Sequence, residues 1–502
     1  MQDAQTLRRN FLWNTFGQLT YMLCQFLCGI LVVRLAGEQV SGVYNTALTA
    51  TGIFLSIASY GMYSFQVSDI RGKYGASTYI RSRVWTCALA VALCIGFVAV
   101  SALTGENPYS AQQSVCVLLF LGYRMVESLT DIYNAIDQRS GRLDIVGKTY
   151  AVRGAVTLAS FTLTLWLTQD IVLTLALMLG ASLVVFFVYS LPQARAFYAP
   201  EQPQNARVAS LLWECLPLAV YSFLNTTTAS IPKLALSSRM GETALGIYGP
   251  VTQPVVLLQV GATYLFNPFI TVFADSYARR DKKGFFKAVF AVQGIVLALL
   301  PLGLAVAHFL GRWGLATFVS PGLADYQYLL GPMVVSAILT ALVLFYSMVL
   351  TVMRCMKGLI VANVCAIAVS ALASGPCIAR WELQGTTYAA VLAQLVQLVM
   401  LGGVALRMTG AGPQVFQHTG PAEAGRPVRR PAQLRAGLFR KNWKVGKTKD
   451  GKKGYEAGIY RVRQYGAGHC RGAAAFKGTG AGADLRLCEG LGQAVRRNAA
   501  PG

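Results

Sequence analysis

The chain has 502 residues, of which 54% are hydrophobic and 13% are charged. Soluble domains carry about 25% charged residues, so this composition excludes an ordinary soluble protein and indicates a membrane protein. The 11 Cys form no CxxC pair and there are only 3 His, so neither a metal site nor a disulfide framework is supported.

Apolar stretches long enough to cross a bilayer, about 20 residues each, recur along most of the chain. Arg8 and Arg9 precede the first of them, which is too long for the core of a signal peptide and is interpreted as a retained span. The sequence predicts twelve spans, which lie at residues 11–33, 43–68, 84–104, 112–135, 149–168, 171–191, 209–232, 245–273, 286–310, 327–352, 358–375 and 384–406.

Basic residues in the connections predict the orientation of these spans. With the N-terminus in the cytoplasm, 20 Lys and Arg fall in inside connections and 5 in outside connections. The positive-inside rule therefore predicts that both ends of the membrane part face the cytoplasm. The outside residues are Arg34, Lys233, Arg239, Arg312 and Arg380.

One short pattern occurs twice, in RLAGEQVSGVYN from Arg34 and in SRMGETALGIYG from Ser238. Both copies contain Gly-Glu, three residues, Gly, one residue and Tyr, and the second copy lies 204 residues after the first. We call this pattern the doubled motif. Its members are Gly37, Glu38, Gly42 and Tyr44 in the first copy and Gly241, Glu242, Gly246 and Tyr248 in the second.

Each copy of the doubled motif falls in the outer connection after the first predicted span of its half. The next connections, DIRGKYGASTYIRSR and VFADSYARRDKKGFFK, also agree in place and basic character. A fixed offset with matched topology favours duplication over a chance match, and indicates a parallel repeat about an axis along the membrane normal. We therefore predict an all-α polytopic membrane protein with two parallel six-helix lobes, residues 1–200 and 201–410, around a central cavity.

The residue types of the doubled motif suit a structural role. We expect the first glycine to reverse the chain at positive φ, the glutamate to supply charge at a helix N-terminus, and the tyrosine to lie at headgroup depth. The motif then indicates architecture, and the chemistry lies elsewhere.

The stretches RRNFLWNTFGQ, RLAGEQVSGVYN and IPKLALSSRMGETALGIYG resemble the polysaccharide-transporter branch of the multidrug/oligosaccharidyl-lipid/polysaccharide superfamily, which contains the Wzx-type O-antigen flippases. The resemblance covers residues 1–410. It implies a bacterial inner-membrane protein that moves an undecaprenyl-diphosphate-linked oligosaccharide to the outer leaflet, for O-antigen, capsule or exopolysaccharide synthesis. It also implies the lipid bilayer and the polysaccharide polymerase and chain-length machinery as partners.

Arg124 is the leading candidate for contact with an anionic headgroup. It lies mid-span in GYRMVESLTDIYN, where ionisable residues face the bundle interior or a water-filled cavity, and arginine pairs well with phosphate. Glu127 and Asp131 follow at i+3 and i+7 on the same helical face. These acids are expected to tune Arg124 or take up a coupling ion; the alternative is an ion cluster that pins this span to a neighbour.

Three further cations are candidate ligands of the headgroup. Arg153 lies one turn into the fifth span, where a positive-inside flank is the alternative. Arg34 and Lys233 end the first and seventh spans, where snorkelling to the interface is the alternative. Glu214, near the start of the seventh span, is a candidate proton site or an interfacial residue.

The eighth span carries Pro250, Pro254 and Pro268, which predict either a hinge or static kinked packing. The chain contains no Walker A sequence and no GxSxG elbow. We therefore predict a transporter that is not an enzyme and has no metal or other cofactor, with coupling to a proton or sodium gradient as a hypothesis.

Two other functions stay open. One is a cation-coupled multidrug exporter of the same superfamily, whose cavity is expected to display acids and aromatics instead of excess cations. The other is a membrane-embedded glycan polymerase or ligase, which is expected to have large outer loops, whereas the outer connections here are short.

Residues 411–502 differ in composition, with 18 Lys and Arg against 5 Asp and Glu and no apolar periodicity. We expect this tail to be disordered and not to bind nucleic acid. One interpretation is a basic tail attracted to anionic lipids. The favoured interpretation is a segment that is not an evolved part of the transporter.

Deletion of residues 411–502 is accordingly expected to leave transport intact, because no predicted span or buried charge lies in that segment. The measurement is complementation of a host that lacks the gene, with membrane insertion checked by immunoblot. Loss of transport by a normally inserted deletion variant would contradict the favoured interpretation.

Overall fold

The computed structural model describes residues 4–69, 73–103, 108–196, 208–266, 282–353, 355–410, 457–461 and 471–475. Contacts divide the chain into two compact units, Met1–Val415 and Phe416–Gly502. The described elements of the first unit are all helical. The α-helices are α1 (Ala4–Ser59), α2 (Met62–Ser68), α3 (Ala76–Leu103), α4 (Ala111–Arg139), α5 (Leu143–Thr168), α6 (Ile171–Val185), α7 (Leu191–Arg195), α8 (Val208–Met240), α9 (Glu242–Phe266), α10 (Lys282–Gly314), α11 (Leu330–Val352) and α12 (Met356–Gly410).

Irregular helices connect some of these elements. A π-helical turn, Phe186–Ser190, joins α6 to α7, and a second one, Leu315–Val319, extends α10. A 3₁₀ helix, Pro321–Leu329, then leads into α11. π-helical turns are rare and often occur at functional sites.

The second unit contains two described strands. Strand β1 (Ala457–Arg461) pairs with β2 (Arg471–Ala475) in antiparallel register, with Ile459 opposite Ala473. Both strands fall within the predicted tail, and the rest of residues 411–502 lies outside the described part of the chain.

Eight helical segments in the described ranges are long and apolar enough to cross a membrane. The first and last of them have 61 and 52 residues. At 1.5 Å per residue such helices would be roughly 90 and 80 Å long, far beyond the about 30 Å of bilayer hydrocarbon. The segments are Arg8–Ser68, Ala76–Leu103, Leu143–Thr168, Ile171–Arg195, Val208–Met240, Gly284–Val319, Pro321–Thr351 and Met356–Arg407.

The first long helix reverses direction at Gly37, whose backbone has φ 81° and ψ −178°. A Cβ on Gly154 of α5 would meet Tyr21, and two turns further along α5 the Phe161 ring meets Tyr44 at 5.5 Å between centroids. In a straight α1, Tyr44 would lie much more than two helical turns away from Tyr21. The predicted spans 11–33 and 43–68 are therefore folded back on each other.

The last long helix, α12, reverses in the same way at Glu382, where φ is 49° and ψ is −124°. A Cβ on Gly385 would overlap the Cys377 carbonyl, so the chain after the turn packs on the chain before it. The predicted spans 358–375 and 384–406 occupy the two halves of this helix.

Two predicted spans, 112–135 and 245–273, form α4 and α9 but are not among the eight apolar segments. Arg124 and Glu127 lower the mean hydropathy of α4, and α9 contains several polar residues and two prolines. Eight candidate spans are found in the described chain, and the count of twelve stays a prediction.

Both turn glycines of the doubled motif have positive φ, 81° at Gly37 and 84° at Gly241, which confirms the expected backbone reversal. The expectation for the tyrosines is wrong. Tyr44 is 1% exposed and Tyr248 is 4% exposed, so neither ring is available to headgroups. Tyr44 instead packs edge-on against Phe120 and Phe161, because the turn directs it into the helix bundle.

The two copies of the doubled motif contact each other. A Cβ on Gly42 would overlap the Glu242 carbonyl oxygen, and a Cβ on Gly246 would overlap the Glu38 carbonyl oxygen. These contacts are reciprocal under the 204-residue offset, which is the pattern of a local twofold axis. We name this end of the first unit the motif end, and the opposite end, which carries the α4–α5 connection at Gly141, the basic end.

We expect Gly37→Ala to lower the stability of the protein by about 1–3 kcal/mol, the usual cost of a non-glycine residue in this backbone region. No atom lies within 4 Å of a Cβ at this position, so the cost comes from the backbone alone. The measurement is the thermal unfolding midpoint in detergent. Gly96→Ala in α3, which also has open space, is the matched control and should not lower the midpoint.

Candidate functional site

Three helices of the first half bring polar and charged side chains together among apolar neighbours. Helix α1 contributes two residues, α4 three and α5 one. We call this group the arginine cluster, and its members are Tyr21, Gln25, Tyr123, Arg124, Glu127 and Arg153.

Glu127 lies at the centre of the arginine cluster. One of its oxygens accepts a 2.7 Å hydrogen bond from the Arg124 guanidinium, and the other accepts a 2.7 Å hydrogen bond from the Tyr21 hydroxyl. Arg124 and Glu127 are both mostly buried, with side-chain exposures of 14% and 13%. The carboxylate therefore neutralises a cation on its own helix and also fixes α4 to α1.

Arg153 reaches the same place from α5 and is 1% exposed. Its guanidinium lies 5.0 Å from the centre of the Tyr123 ring and 5.7 Å from that of Tyr21. Stacking on aromatic faces stabilises a buried cation by about 2 kcal/mol or more, but it satisfies no hydrogen bond. Nη2 makes a 3.5 Å bond to the Tyr123 carbonyl, while Nε and Nη1 have no hydrogen-bond partner.

A third arginine lies close to this group on α3. Arg83 is fully buried and donates to the Ala58 carbonyl at 2.6 Å and to the Ser128 hydroxyl at 3.0 Å. Its Nε and Nη2 have no partner. Buried polar groups in proteins are nearly always hydrogen-bonded. The unsatisfied N–H donors of Arg83 and Arg153 are therefore unusual, and both arginines can donate further hydrogen bonds.

Asp131 continues the acidic face of α4, one turn beyond Glu127. It accepts a 3.2 Å hydrogen bond from the Tyr150 hydroxyl of α5. Arg124, Glu127 and Asp131 therefore face the α1 and α5 side of α4 as the spacing predicted, but Asp131 does not contact Arg124 directly.

The other predicted site residues lie elsewhere. Arg34 donates to the carbonyl oxygens of Thr317 and Val319 in the second half, at 2.8 Å for Val319. Glu214 forms a 2.5 Å ion pair with Lys73 and accepts a hydrogen bond from the Tyr74 hydroxyl, so it links α8 to the segment before α3.

Lys233 is half-buried in α8, and no carboxylate pairs with it among the residues that the structure describes. Helix α9 continues without interruption through Pro250 and Pro254. Pro268 lies outside the described residues. The structure thus brings Arg124 and Arg153 together with Glu127, and leaves Lys233 as a separate cation.

Sequence reasoning missed the aromatic and amide members of the arginine cluster, and it counted Arg83 only as a basic residue of a connection. A signal for the α1 members was present: Gln18, Tyr21 and Gln25 repeat at helical spacing within an apolar span. The stacking of Arg153 on two rings has no such signal, because it depends on how three helices pack. In the described ranges no three His, Cys, Asp or Glu come together as metal ligands.

A separate buried carboxyl lies at the basic end. Asp137, beyond the end of predicted span 112–135, is 2% exposed, and its Oδ1 has no hydrogen-bond partner. Burial raises the pKa of Asp137 to about 7, with a further increase from Asp144 and an opposing effect of Arg142. This carboxyl can therefore exchange a proton near neutral pH.

Comparison with known proteins defines the class. The family model described as "Polysaccharide biosynthesis protein" matches residues 7–273, which is more than half of the chain, and the chain belongs to this family. The capsular polysaccharide biosynthesis protein CapF of Staphylococcus aureus is 20% identical over 307 residues, covering 61% of this chain and 75% of CapF.

Solved structures define the fold. An inward-facing MATE-family multidrug resistance transporter of the MOP superfamily superposes with a TM-score of 0.62 and 11% identity, covering 80% of this chain and 99% of that one. An outward-facing structure from the same family gives a TM-score of 0.56 and 13% identity, covering 83% and 97%. The chain is a multi-pass membrane protein of a polysaccharide biosynthesis family and has the fold of these transporters.

We expect the stability of the wild-type protein to fall, relative to Asp137→Asn, as the pH rises from about 4 to about 7. An unfolded Asp loses its proton near pH 3.9, whereas the folded protein holds it up to about pH 7. Folding is then favoured by the bound proton and weakened as the proton is lost.

The measurement is the thermal unfolding midpoint of both proteins in detergent at several pH values. Asp137→Glu, which keeps a titratable group, is the control and should retain a pH dependence. Parallel wild-type and Asp137→Asn curves between pH 4 and 8 would contradict the prediction.

Proposed function

We propose that this protein is a transporter that flips an undecaprenyl-diphosphate-linked oligosaccharide from the cytoplasmic to the outer leaflet of a bacterial inner membrane. It would serve O-antigen, capsule or exopolysaccharide synthesis. Family membership and the relation to a capsular polysaccharide biosynthesis protein support this cargo class. The fold is one that has 12 transmembrane helices, which supports the twelve-span prediction and the two six-helix lobes.

The observation that carries the proposal is the excess of unsatisfied cationic donors inside the first half. The group contains three arginines, Arg83, Arg124 and Arg153, and two carboxylates, Glu127 and Asp131. Each of the three arginines keeps at least one buried N–H without a partner. A diphosphate must leave water to cross the bilayer, at a high cost in free energy. Charge-assisted hydrogen bonds from arginine are the strongest compensation that side chains offer.

Lys233 supplies a cation on the opposite half. Under the 204-residue offset it corresponds to Gly29, and a Cβ on Gly29 would lie 2.8 Å from the Gln253 side chain of α9. That position of α1 therefore faces the other half, and the local twofold axis supports a corresponding orientation of Lys233 toward α1. We infer that Lys233 and the arginine cluster face a shared cavity from its two sides.

The route follows from the orientation. The charge bias of the connections supports placing the motif end outside and the basic end in the cytoplasm. The headgroup would then enter near the basic end, bind the cations and leave at the motif end as the lobes rock. Glu127 and Asp131 are the candidate sites for a coupling proton or sodium ion.

The second candidate, a cation-coupled exporter of amphipathic drugs, is favoured by one feature. Glu127 and the rings of Tyr21 and Tyr123 form the acidic and aromatic surface that a cationic drug requires. Arg124 and Arg153 already occupy that surface, so we place this function second.

The test is deletion of the gene from its native host. We expect loss of surface polysaccharide, with lipid-linked repeat units held on the cytoplasmic leaflet. Normal arrival of those units at the outer leaflet would refute the proposal, and sensitivity to cationic drugs with normal polysaccharide would favour the exporter.

Arg124→Gln is expected to lower flipping by about tenfold or more without lowering the protein level, because one charge-assisted hydrogen bond contributes about 1.5–3 kcal/mol. Arg312→Gln is the matched control, since Arg312 is 73% exposed and pairs with an exposed Asp325. The measurement is the rate at which lipid-linked units appear in the outer leaflet.

Glu127→Gln separates direct contact from a purely structural pair. If Arg124 binds the cargo, Arg124→Gln should lower flipping while the protein level and the unfolding midpoint of both variants stay near the wild-type values. If the pair only holds α4 to α1, both variants should reduce the protein level and the unfolding midpoint together.

A further inference from the structure

The contact between the two copies of the doubled motif is built around the local twofold axis. Asn45 and Gly249, which correspond under the 204-residue offset, face each other, and a Cβ on Gly249 would overlap the Asn45 carboxamide. A position that meets its own counterpart lies on the axis itself. On either side of it, Gly42 meets Glu242 and Gly246 meets the corresponding backbone of the first copy.

Few hydrogen bonds reinforce this contact. The Ser41 hydroxyl donates to the Gly246 carbonyl at 3.0 Å, and the hydroxyls of Thr46 and Ser237 lie 3.3 Å apart. The Glu242 carboxylate accepts a 3.4 Å hydrogen bond from the Ser110 hydroxyl, and among the residues that the structure describes no ion pair links the two copies. The surfaces therefore fit closely but are held by a small number of bonds.

Arg34 ties the same end together. It comes from the residues just before Gly37 and donates to two backbone carbonyls, Thr317 and Val319, at the end of the π-helical turn. Carbonyls at a helix C-terminus have no partner within the helix and carry partial negative charge. Arg34 thus connects the first half of the chain to the second half by hydrogen bonds.

We propose that the doubled motif and Arg34 form the outer gate of the transport pathway. Closely packed glycines exclude water and cargo from the motif end while the pathway is open to the basic end. Separation of the two copies, with release of Arg34 from the π-helical turn, is the step that opens the motif end. The direction of transport through this gate rests on the proposed function; the gate itself rests on the contacts.

Glycine at the gate allows the two backbones to approach each other closely and the two copies to separate again. Gly→Ala normally stabilises a helix by about 1 kcal/mol, so a substitution here has opposite effects on the helix and on the contact. At Gly42 and Gly246 a methyl group would overlap backbone oxygen atoms, which cannot rotate away as a flexible side chain can. Alanine should therefore hold the two copies apart while leaving each helix intact.

The test measures access to a cysteine behind the gate. Gln253→Cys, one turn further from the motif end than Gly249, is introduced after replacement of the native cysteines, and intact cells are treated with a membrane-impermeant maleimide. With the native motif we expect little labelling. With Gly42→Ala and Gly246→Ala we expect labelling to rise about tenfold or more, equivalent to about 1.4 kcal/mol against the closed state.

Two further variants keep the result interpretable. Gly52→Ala lies on the same helix with no atom within 4 Å of its Cβ, and should not change the labelling. Arg34→Gln leaves the glycines untouched and should raise it, so the proposal can be tested even if the alanine variants fail to fold. Unchanged labelling in correctly inserted Arg34→Gln and glycine variants would overturn the gate.

A disulfide distinguishes the gate from the proposed cargo. Thr46→Cys with Ser237→Cys should cross-link across the motif end and stop flipping until it is reduced. Ser336→Cys with Gln394→Cys, whose native side chains are 3.1 Å apart within the second half, should leave flipping unchanged. If labelling responds as expected but the host shows no defect in lipid-linked glycan transport, the gate stands and the proposed function fails.

Discussion

Backbone contact through glycine is the interaction on which this helical bundle depends. Moving an apolar side chain from lipid into a helix–helix interface releases little free energy, because lipid tails are equally apolar. Helices in lipid therefore associate through close packing and hydrogen bonds. Glycines of α1 and α5 meet where a Cβ on Gly17 would overlap Gly147. The same device joins α1 to α9 at Gly42 and folds α12 back on itself at Gly385.

That close packing sets the conditions for the charged residues. When α1, α4 and α5 approach this closely, buried polar atoms on their facing surfaces depend on partners in the protein. Glu127 meets the requirement with two bonds. Arg153 meets it only in part, by aromatic stacking and one long bond. The N–H groups of Arg153 that lack an acceptor are a consequence of this packing. Under the proposed function, an anionic cargo would accept hydrogen bonds from them.

The sequence predicts most of the architecture because lipid imposes simple rules. Length and apolarity indicate the helices, and the repeated Gly37 and Gly241 indicate where two of them reverse, since only glycine enters that backbone region readily. The reversal at Glu382 has no such signal, because φ is 49° there at a residue that is not glycine.

The hydrogen-bond partners within the site are harder to predict than the helices, because they depend on packing. A charge within an apolar span is visible in the sequence, and so Arg124 and Glu127 were found. The partner of a charge depends on which faces of distant helices meet. Arg34 illustrates the difference: its position before the turn was compatible with cargo binding or snorkelling, while its partners are carbonyls almost three hundred residues away. The doubled motif was interpreted correctly as a turn, but its glycines also form a contact that a single copy cannot indicate.

The site and the gate are connected through α1. Its first half carries Tyr21, which is fixed to α4 by Glu127, and ends at Arg34, which holds the second half of the chain. Its second half begins at Gly37 and carries Gly42. Because α4 and α5 are bound to α1 by hydrogen bonds, aromatic stacking and glycine contacts, these helices must move together when the motif end opens. Under the proposed function, a cargo that changes the pairing of Glu127 would act on the same group of helices that forms the proposed gate, which is the physical requirement for coupling binding to opening.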